Sequence, residues 1–508
     1  MIEKDSTVLP QQTPEPLLES NKSAFRTLLR NSTYYLGSDV VIKILSFLFN
    51  VYIVRQLGDE RFGLYSAALA YAGIFSIIGD LGMTQYVTRE IARGRRQADE
   101  LFWNIVCVRL ILSTIAIIVI TASAHFVVRY DPSMVLGIFL VCIGFLLHAF
   151  WGPTEIILNA NMRIDHSSTL STIIQISFVT VGTLVLVNGY SFHGLILASL
   201  LGVPIAALLG IIQIRRLKLA TLKLQINPKI WWSLLMSSLP FALITFTIMA
   251  ATDLDTVMLS LLRTPEEIGW YKAAYNLTFK LTFIKDALLV TLTPQMSRYY
   301  GVSASRVAST FNTSFKLLWA FSFPIALGTA LLAQPLIIWL YTEEYAPSGI
   351  VLAILIWSIP LLNLSSLCGS VTTATDKEKK AAKVYLLAAL MNLGSNMIAI
   401  PMWGYIGAAV STVITEAIAL VLFYRVLHSE FPLTDVKNIL IKPVVAGLIM
   451  AAAILPLLNW PLIIVIGVGA IVYPLALFAL KPFNQAELEI INGVWSTLRR
   501  RLKIREAS

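Results

Sequence analysis

The stretch KILSFLFNVYIVRQLGDERFGLYSAALAYAGIFSIIGDLGMTQYVTREIARG, residues 43–94, decides the fold class. It contains two long apolar runs separated by a short charged turn around 55–61. The first run begins near residue 31. Each run is close to the roughly 20 residues that cross a hydrocarbon core of about 30 Å as a helix. The stretch ends with Arg89 and Arg93 and is followed at once by Arg95 and Arg96, the kind of cationic flank that membrane helices leave on the cytoplasmic side. It therefore predicts two membrane-spanning helices joined by a short outer turn.

The same text recurs 206 residues later. GDERFGLYSAALAYAGIFSIIGD, from Gly58, aligns with TPEEIGWYKAAYNLTFKLTFIKD, from Thr264. Glu60 falls on Glu266, Gly63 on Gly269, Tyr65 on Tyr271 and Asp80 on Asp286. Both copies run from outside to inside, so the repeat is parallel, with six helices per unit. A weaker echo joins ILNANMR, near Asn159, to VTTATDK, near Thr373. Duplicated bundles of this kind are typical of secondary transporters.

The whole chain supports that reading. Its 508 residues are 57% hydrophobic and 13% charged, with a mean hydropathy of +0.74. Soluble domains are about 45–50% apolar and about 25% charged, so a soluble enzyme, a disordered chain and a fibre are all excluded. Apolar runs lie at 31–54, 64–86, 101–123, 134–155, 168–187, 191–214, 233–261, 267–295, 308–332, 348–373, 384–402, 405–424, 438–458 and 461–480. The segment 334–345 is too short to span and reads as an interfacial turn. The organisation expected is an N-terminal arm over 1–30, a six-helix lobe over 31–214 and a basic linker over 215–232. A second six-helix lobe over 233–427, two further helices over 438–480 and an amphipathic tail over 481–508 follow. The arm has prolines and both charge signs but no short apolar core, so it is not a cleavable signal.

The net charge of +10 would suggest nucleic acid in a soluble protein. Here its placement matters more. With a cytoplasmic N-terminus, the inner segments collect 28 of the 39 Lys and Arg residues, and the outer loops only Arg55, Arg61, Arg129 and Arg263. Adding or dropping one helix would destroy the alternation. The basic excess is a topology signal for fourteen spans with both ends in the cytoplasm, and no nucleic-acid partner is expected. Cys107, Cys142 and Cys368 lie in apolar runs, and His125, His148, His166, His193 and His428 are scattered. No metal-ligand spacing and no phosphate-binding loop is present, so neither a metal, a cofactor nor an ATPase activity is expected.

These motifs resemble a known family. Leu57-Gly58, Phe62-Gly63-Leu64-Tyr65, Asp80-Leu81-Gly82, Arg89-Glu90-Ile91-Ala92 and the later Gly404-Tyr405-Ile406-Gly407-Ala408-Ala409 are similar to the signature of the polysaccharide transporters, the Wzx-type oligosaccharide flippases. These share a superfamily with multidrug and toxin extrusion (MATE) exporters and lipid II flippases. The resemblance covers roughly 25–430. It implies an all-α membrane protein of about fourteen helices, with two six-helix lobes around a central cavity and two extra helices. It implies movement of an isoprenoid-pyrophosphate-linked oligosaccharide from the inner to the outer leaflet of the cell membrane, by alternating access. It implies no enzymatic activity, membrane lipids as surroundings, coupling to H+ or Na+, and a glycan polymerase and glycosyltransferases as partners.

Such cargo needs fixed positive charge for the pyrophosphate, and ionisable groups at bilayer depth are costly and mark function by default. Lys272, Asn276 and Lys280 are spaced i, i+4, i+8, on one face of the eighth span. Lys280 is the deepest and the first choice for a pyrophosphate contact; the alternative is an ion pair with Asp253 or Asp255. Lys285 lies off that stripe. Asp39 and Lys43 are i, i+4: either they neutralise one another, or Lys43 faces the cavity and Asp39 titrates. Arg109 suits phosphate bidentately, or else pairs with Asp80 or Asp39. Asp80 and Asp286 either carry protons or sodium or pair with loop arginines to latch the inner gate, the latch being preferred for Asp80; Asp253, Asp255 and Glu416 are further coupling candidates. Pro204, Pro240, Pro324 and Pro360 fall inside spans, where they permit kinks. Trp231, Trp232, Trp270 and Tyr271 read as interface anchors.

Two other functions compete. A MATE-like exporter of cationic drugs would be expected to have twelve helices and an acidic cavity. A membrane glycosyltransferase, polymerase or ligase would be expected to carry catalytic groups in a large outer loop. The longest here, QPLIIWLYTEEYAP, has Glu343 and Glu344 but no basic partner. A peptidoglycan-precursor flippase is a near neighbour of the leading reading.

Overall fold

A computed structural model describes residues 15–94, 96–300 and 302–483, with side chains from 42 onward apart from a few positions between 244 and 295. Asp39 and Asp286 lie outside the residues whose side chains are described, as do the first fourteen residues of the arm and residues 484–508 of the tail. Among the described residues every regular element is helical.

Eleven helices among the described residues are long and apolar enough to cross a membrane. Two of them are double. Glu15–Phe75 is broken at Gly58, whose backbone lies at φ 72°, ψ 172°. Glu378–Leu427 is broken at Gly404, at φ 57°, ψ −135°. Both are positive-φ positions that glycine adopts without a Cβ clash. The predicted eighth span is also interrupted: Pro265–Phe279 passes through a single 3-10 turn, Lys280–Thr282, into Phe283–Tyr300. Taking both arms of each glycine break, with the interrupted eighth, recovers the fourteen expected segments. Residues 334–345 form the short helix Ala333–Leu340 and the turn Glu343–Tyr345, as their length required.

The breaks leave carbonyls that need donors. Arg263 supplies them for one: its guanidinium donates to Ile400 O at 2.9 Å and Pro401 O at 2.7 Å, ahead of Gly404. Arg55 does the same at the end of Ala333–Leu340, reaching Trp339 O and Leu340 O. Pro204, Pro240 and Pro324 sit inside helices, as do Pro153, Pro401 and Pro474. Pro360 lies inside its expected span, which the structure gives as Ser348–Ala374, beside a break in the helix. The helix is interrupted at Ile356 and Trp357, and Pro360 lies in the first turn of Ser358–Ala374, where it removes no helical donor.

The chain divides into two compact units. One comprises Met1–Asn50, Ser76–Val119 and Leu140–Leu243; the other Val51–Phe75, Ile120–Phe139 and Ile244–Ser508. These units cut across the repeat boundary near 215–232, because residues 51–75 pack with the second repeat. A methyl group built on Gly63 would lie 1.7 Å from Pro265 O, and one on Gly269 would lie 2.2 Å from Asp59 O. Residues 59 and 265, like 63 and 269, are related by the 206-residue offset, so the repeat reappears as a two-fold contact.

Each repeat also clasps the chain that follows it. In the first unit, Asn104 donates to Gln225 O at 3.0 Å and accepts from Asn227 N at 2.8 Å and Trp231 Nε1 at 2.8 Å. Asp99 accepts from Thr221 N and Leu222 N. In the second unit, Asn312 donates to Pro432 O at 3.2 Å and accepts from Thr434 N at 3.0 Å. In both copies the same side-chain amide also donates to the carbonyl four residues back, Glu100 O or Ala308 O. Thus the non-helical part of the basic linker, around 220–227, is held by the side chains of Asp99 and Asn104.

Candidate functional site

In the first unit the intramembrane charge is gathered around Arg109, on Ala98–Ala122. Its Nη2 donates to Asp80 Oδ1, and to Thr84 Oγ1 at 2.7 Å. Thr84 Oγ1 in turn donates to Asp80 Oδ1 at 2.9 Å. Asp80 is presented by a sharp local turn. The one-turn helix Ile77–Asp80 ends at Leu81 (φ 43°) and Gly82 (φ 75°) before Met83–Ala92 begins. A side chain on Gly82 would strike Ala242 N and Ser238 O, at 2.4 and 2.6 Å. This accounts for the Asp80-Leu81-Gly82 motif: the turn needs left-handed backbone and close helix contact.

The helix Pro132–Ala160 forms the other wall. His148, Gly152 and Glu155 are spaced i, i+4, i+7, so they share one face. A Cβ on Gly152 would lie 1.6 Å from Arg109 Nη1, and the charges of His148 and Glu155 both interact with Arg109. Arg109 Nε is buried without a hydrogen-bond partner. Arg109 therefore carries unused donor capacity. The structure places Asp80 against Arg109 rather than against an arginine of the 89–96 loop, whose Arg89 instead lies 4.9 Å over the Phe241 ring. Lys43, on the first helix, is exposed.

The second unit contains a buried carboxylate, Asp255, on Trp231–Leu262. Tyr271 OH donates to it at 2.8 Å, Asn396 Nδ2 at 2.6 Å and Thr412 Oγ1 at 3.0 Å. The donors are neutral and come from three different helical segments. Thr412 Oγ1 also reaches Ala408 O at 3.0 Å, and Asn392 Oδ1 accepts from Asn396 at 3.2 Å. Asn396 Oδ1 is buried without a hydrogen-bond partner. The hydroxyl oxygens of Tyr271 and Thr412 thus lie within hydrogen-bond distance of the Asp255 carboxylate, and such oxygens are the hard donors that suit a hard cation. No cluster of three or more His, Cys, Asp or Glu occurs among the described residues, so a site rich in such ligands is not formed there. Tyr271 is thus a buried partner of Asp255 and not an interface anchor. Trp270 is likewise tied down, donating to Asp59 Oδ2 at 2.9 Å and Glu344 O at 3.1 Å.

The lysines separate. Lys272 Nζ pairs with Asp253 Oδ1 at 3.2 Å and lies 4.7 Å from the Tyr275 ring centre. Lys280 is exposed and starts the 3-10 turn that ends the predicted stripe; Asn276 O accepts from its backbone N–H. Lys285 lies one turn further on, beyond the break, and is an electrostatic neighbour of Glu416. Ser365 Oγ donates to Glu416 at 3.3 Å. Sequence reasoning missed Thr84, Gly152, Glu155, Asn396 and Thr412. The available signal was polar or small residues recurring at helical spacing inside apolar runs.

A family model described as "Polysaccharide biosynthesis protein" matches residues 28–300. The chain belongs to this polysaccharide biosynthesis family. The MatE family model matches residues 240–398, within the second repeat. Among curated relatives, the probable low-salt glycan biosynthesis flippase Agl15 of Haloferax volcanii is 22% identical over 390 residues, which cover 76% of this chain and 80% of that protein. The probable flippase AglR of the same organism is 21% identical over 480 residues, covering 89% and 96%. A solved structure of the lipid II flippase MurJ in an inward closed conformation superimposes with a TM-score of 0.73 at 14% identity, covering 88% of this chain and 98% of that one. At that identity the likeness is one of fold: a multi-pass helical membrane protein with pseudo-symmetric lobes.

Proposed function

We propose that this family member is a flippase that carries isoprenoid-(pyro)phosphate-linked oligosaccharide units from the inner to the outer leaflet for surface polysaccharide assembly. The observation that carries the reading is that relatives matching most of the chain are named as flippases, one of them of glycan biosynthesis. The chemistry of the cations agrees. Arg109 is fixed at bilayer depth with an unused Nε donor, and Lys272, Lys280 and Lys285 follow one another along one broken helix. Positive charge of this kind suits a pyrophosphate better than a cationic drug. The enclosing membrane is the cell membrane, with both termini cytoplasmic. The protein acts as a carrier rather than as an enzyme.

We assign coupling to the Asp255 cluster. Its oxygens fit a sodium ion, with Asp255 supplying the charge and Asn396 Oδ1 an open ligand. A proton on the same carboxylate would serve equally as coupling charge. Asp80 reads as the internal counter-ion of Arg109, to be exchanged for the cargo phosphate during transport.

The test is a deletion strain. Loss of the protein should accumulate a lipid-linked oligosaccharide on the inner leaflet, and the wild-type gene should relieve it. Lys280→Ala should remain in the membrane but fail to relieve it. A deletion strain with normal surface glycan and no accumulated intermediate would overturn the function. Full relief by the Lys280→Ala variant would overturn only that residue's role.

A further inference from the structure

The contact at Gly63 and Gly269 is tighter than helix packing requires. Backbone meets backbone at two positions, and the positions are exchanged by the internal repeat: Gly63 against Pro265, Gly269 against Asp59. In each half, the contacting residue that supplies the carbonyl lies four positions before the glycine. A contact that maps onto itself in this way is the intramolecular counterpart of an isologous two-fold interface. Its rim is fastened as well. Trp270 Nε1 donates to Asp59, Arg55 caps the Ala333–Leu340 helix, and Tyr345 OH donates to Val54 O at 3.1 Å. Phe62 and Tyr345 pack edge to face beneath it, with ring centres 6.4 Å apart. All of these groups belong to the poorly basic face of the chain, which holds Arg55, Arg61 and Arg263.

We infer that Gly63 and Gly269 form a two-fold backbone latch that closes the outer face, and that both positions must lack a side chain for the closed state to form. No flexible group can yield at either contact, since the obstructing atoms are main chain. A methyl group at either glycine must separate the two repeats there. Because the positions are equivalent by the repeat, the two single substitutions act alike. The role of the latch in a transport cycle rests on the flippase reading; its existence as a closure does not.

The test uses the full-length chain with Cys107, Cys142 and Cys368 replaced by Ala and a single reporter, Ser66→Cys, at a buried position one turn from Gly63. A membrane-impermeant thiol reagent applied from outside should label the reporter slowly. Gly63→Ala and Gly269→Ala should each raise labelling by roughly tenfold, the change that about 1.4 kcal/mol produces. Gly394→Ala and Gly467→Ala, where nothing lies within 4 Å of the added carbon, should leave it unchanged. Unchanged labelling in both latch variants, or a response to only one of them, would overturn the latch. Should either glycine variant fail to fold, a second arm carries the question: Asp59→Cys and Trp270→Cys joined by a short thiol crosslinker before the reporter is probed. The crosslinked protein should show reporter labelling below that of the uncrosslinked parent, recovering when a cleavable linker is reduced; no change would overturn the closure. If the same crosslink leaves glycan export intact, the latch lies outside the transport cycle. If the wild-type chain itself exports no glycan, it is the flippase reading that fails.

Discussion

The guanidinium of Arg109 binds the carboxylate of Asp80 in a space that exists because residue 152 is glycine. The two side chains are 6% and 26% exposed, and an added Cβ at 152 would sit 1.6 Å from Arg109 Nη1. A charge pair in this setting is costly to desolvate, and replacing both partners often costs little, whereas removing one leaves the other stranded. The pair is therefore better understood as a held, exchangeable charge than as a source of stability.

That asymmetry gives the first prediction. Removing one partner of a buried pair costs about 3–5 kcal/mol, and the partial exposure of Asp80 places Asp80→Ala toward the lower end. Arg109→Met should be destabilised similarly. The double variant Asp80→Ala/Arg109→Met should be more stable than the two single losses predict, because contacting residues couple. Thermal unfolding of the purified protein in detergent checks this; strict additivity would show that the pair is not an energetic unit. Both single variants should also lose glycan export.

Much of this architecture was legible in the sequence. Fourteen apolar segments, the turn at 334–345 and the repeat at Gly63 and Gly269 all follow from hydropathy, length and a fixed offset. Tertiary detail was not. Asp255 could be recognised as costly, but its partners Tyr271, Asn396 and Thr412 are 16, 141 and 157 residues away, and no local pattern specifies them. Lys272, Asn276 and Lys280 share one helical face only if the helix continues; the 3-10 turn at Lys280–Thr282 ends that stripe. Arg109 and Asp80 were one of several charge pairs that depth alone allowed, and only packing against Gly152 selects it.

The Asp255 cluster carries the second prediction. A ligand that binds only the folded state stabilises it by about 2.7 kcal/mol at a hundred times its dissociation constant. The melting temperature of the purified protein should therefore rise with NaCl relative to equimolar KCl, and Asp255→Asn and Thr412→Val should abolish the difference. Equal melting in both salts would remove sodium. A proton would then be tested by export after collapse of the proton gradient.

The third prediction concerns Asn104. Its amide group holds the linker at Gln225 O and Asn227 N, and Asn227 caps its own short turn by accepting from Lys229 N. Asn104→Ala leaves those backbone groups and Trp231 Nε1 without this partner; since residues 225 and 227 are exposed, the loss is about 0.5–1.5 kcal/mol per hydrogen bond. The linker between 217 and 228 should become sensitive to trypsin at Lys218 and Lys223, while the rest of the protein stays intact. Asn312→Ala should have the matching effect on residues 431–436, read as trypsin cleavage at Lys437, which directly follows them. Protection equal to wild type in both variants would show that the clasps do not hold these segments.

The last prediction tests the frame on which the transport reading stands. Glu343 lies in the turn after Ala333–Leu340, and Lys379 lies in the first turn of Glu378–Leu427. The helical segment between them, Ser348–Leu355 followed by Ser358–Ala374, crosses the membrane once if the chain has an odd number of passages there. At about 1.5 Å per residue, the 27 residues of Ser348–Ala374 reach about 40 Å, enough for a core of about 30 Å. Single cysteines at the two positions should therefore respond oppositely to an impermeant thiol reagent on intact cells: Glu343→Cys labelled, Lys379→Cys labelled only after permeabilisation. Labelling of both from one side would mean that this segment does not span. It would also invert every loop beyond it, taking the lysines at 377–383 off the inner face and leaving the basic excess without a side.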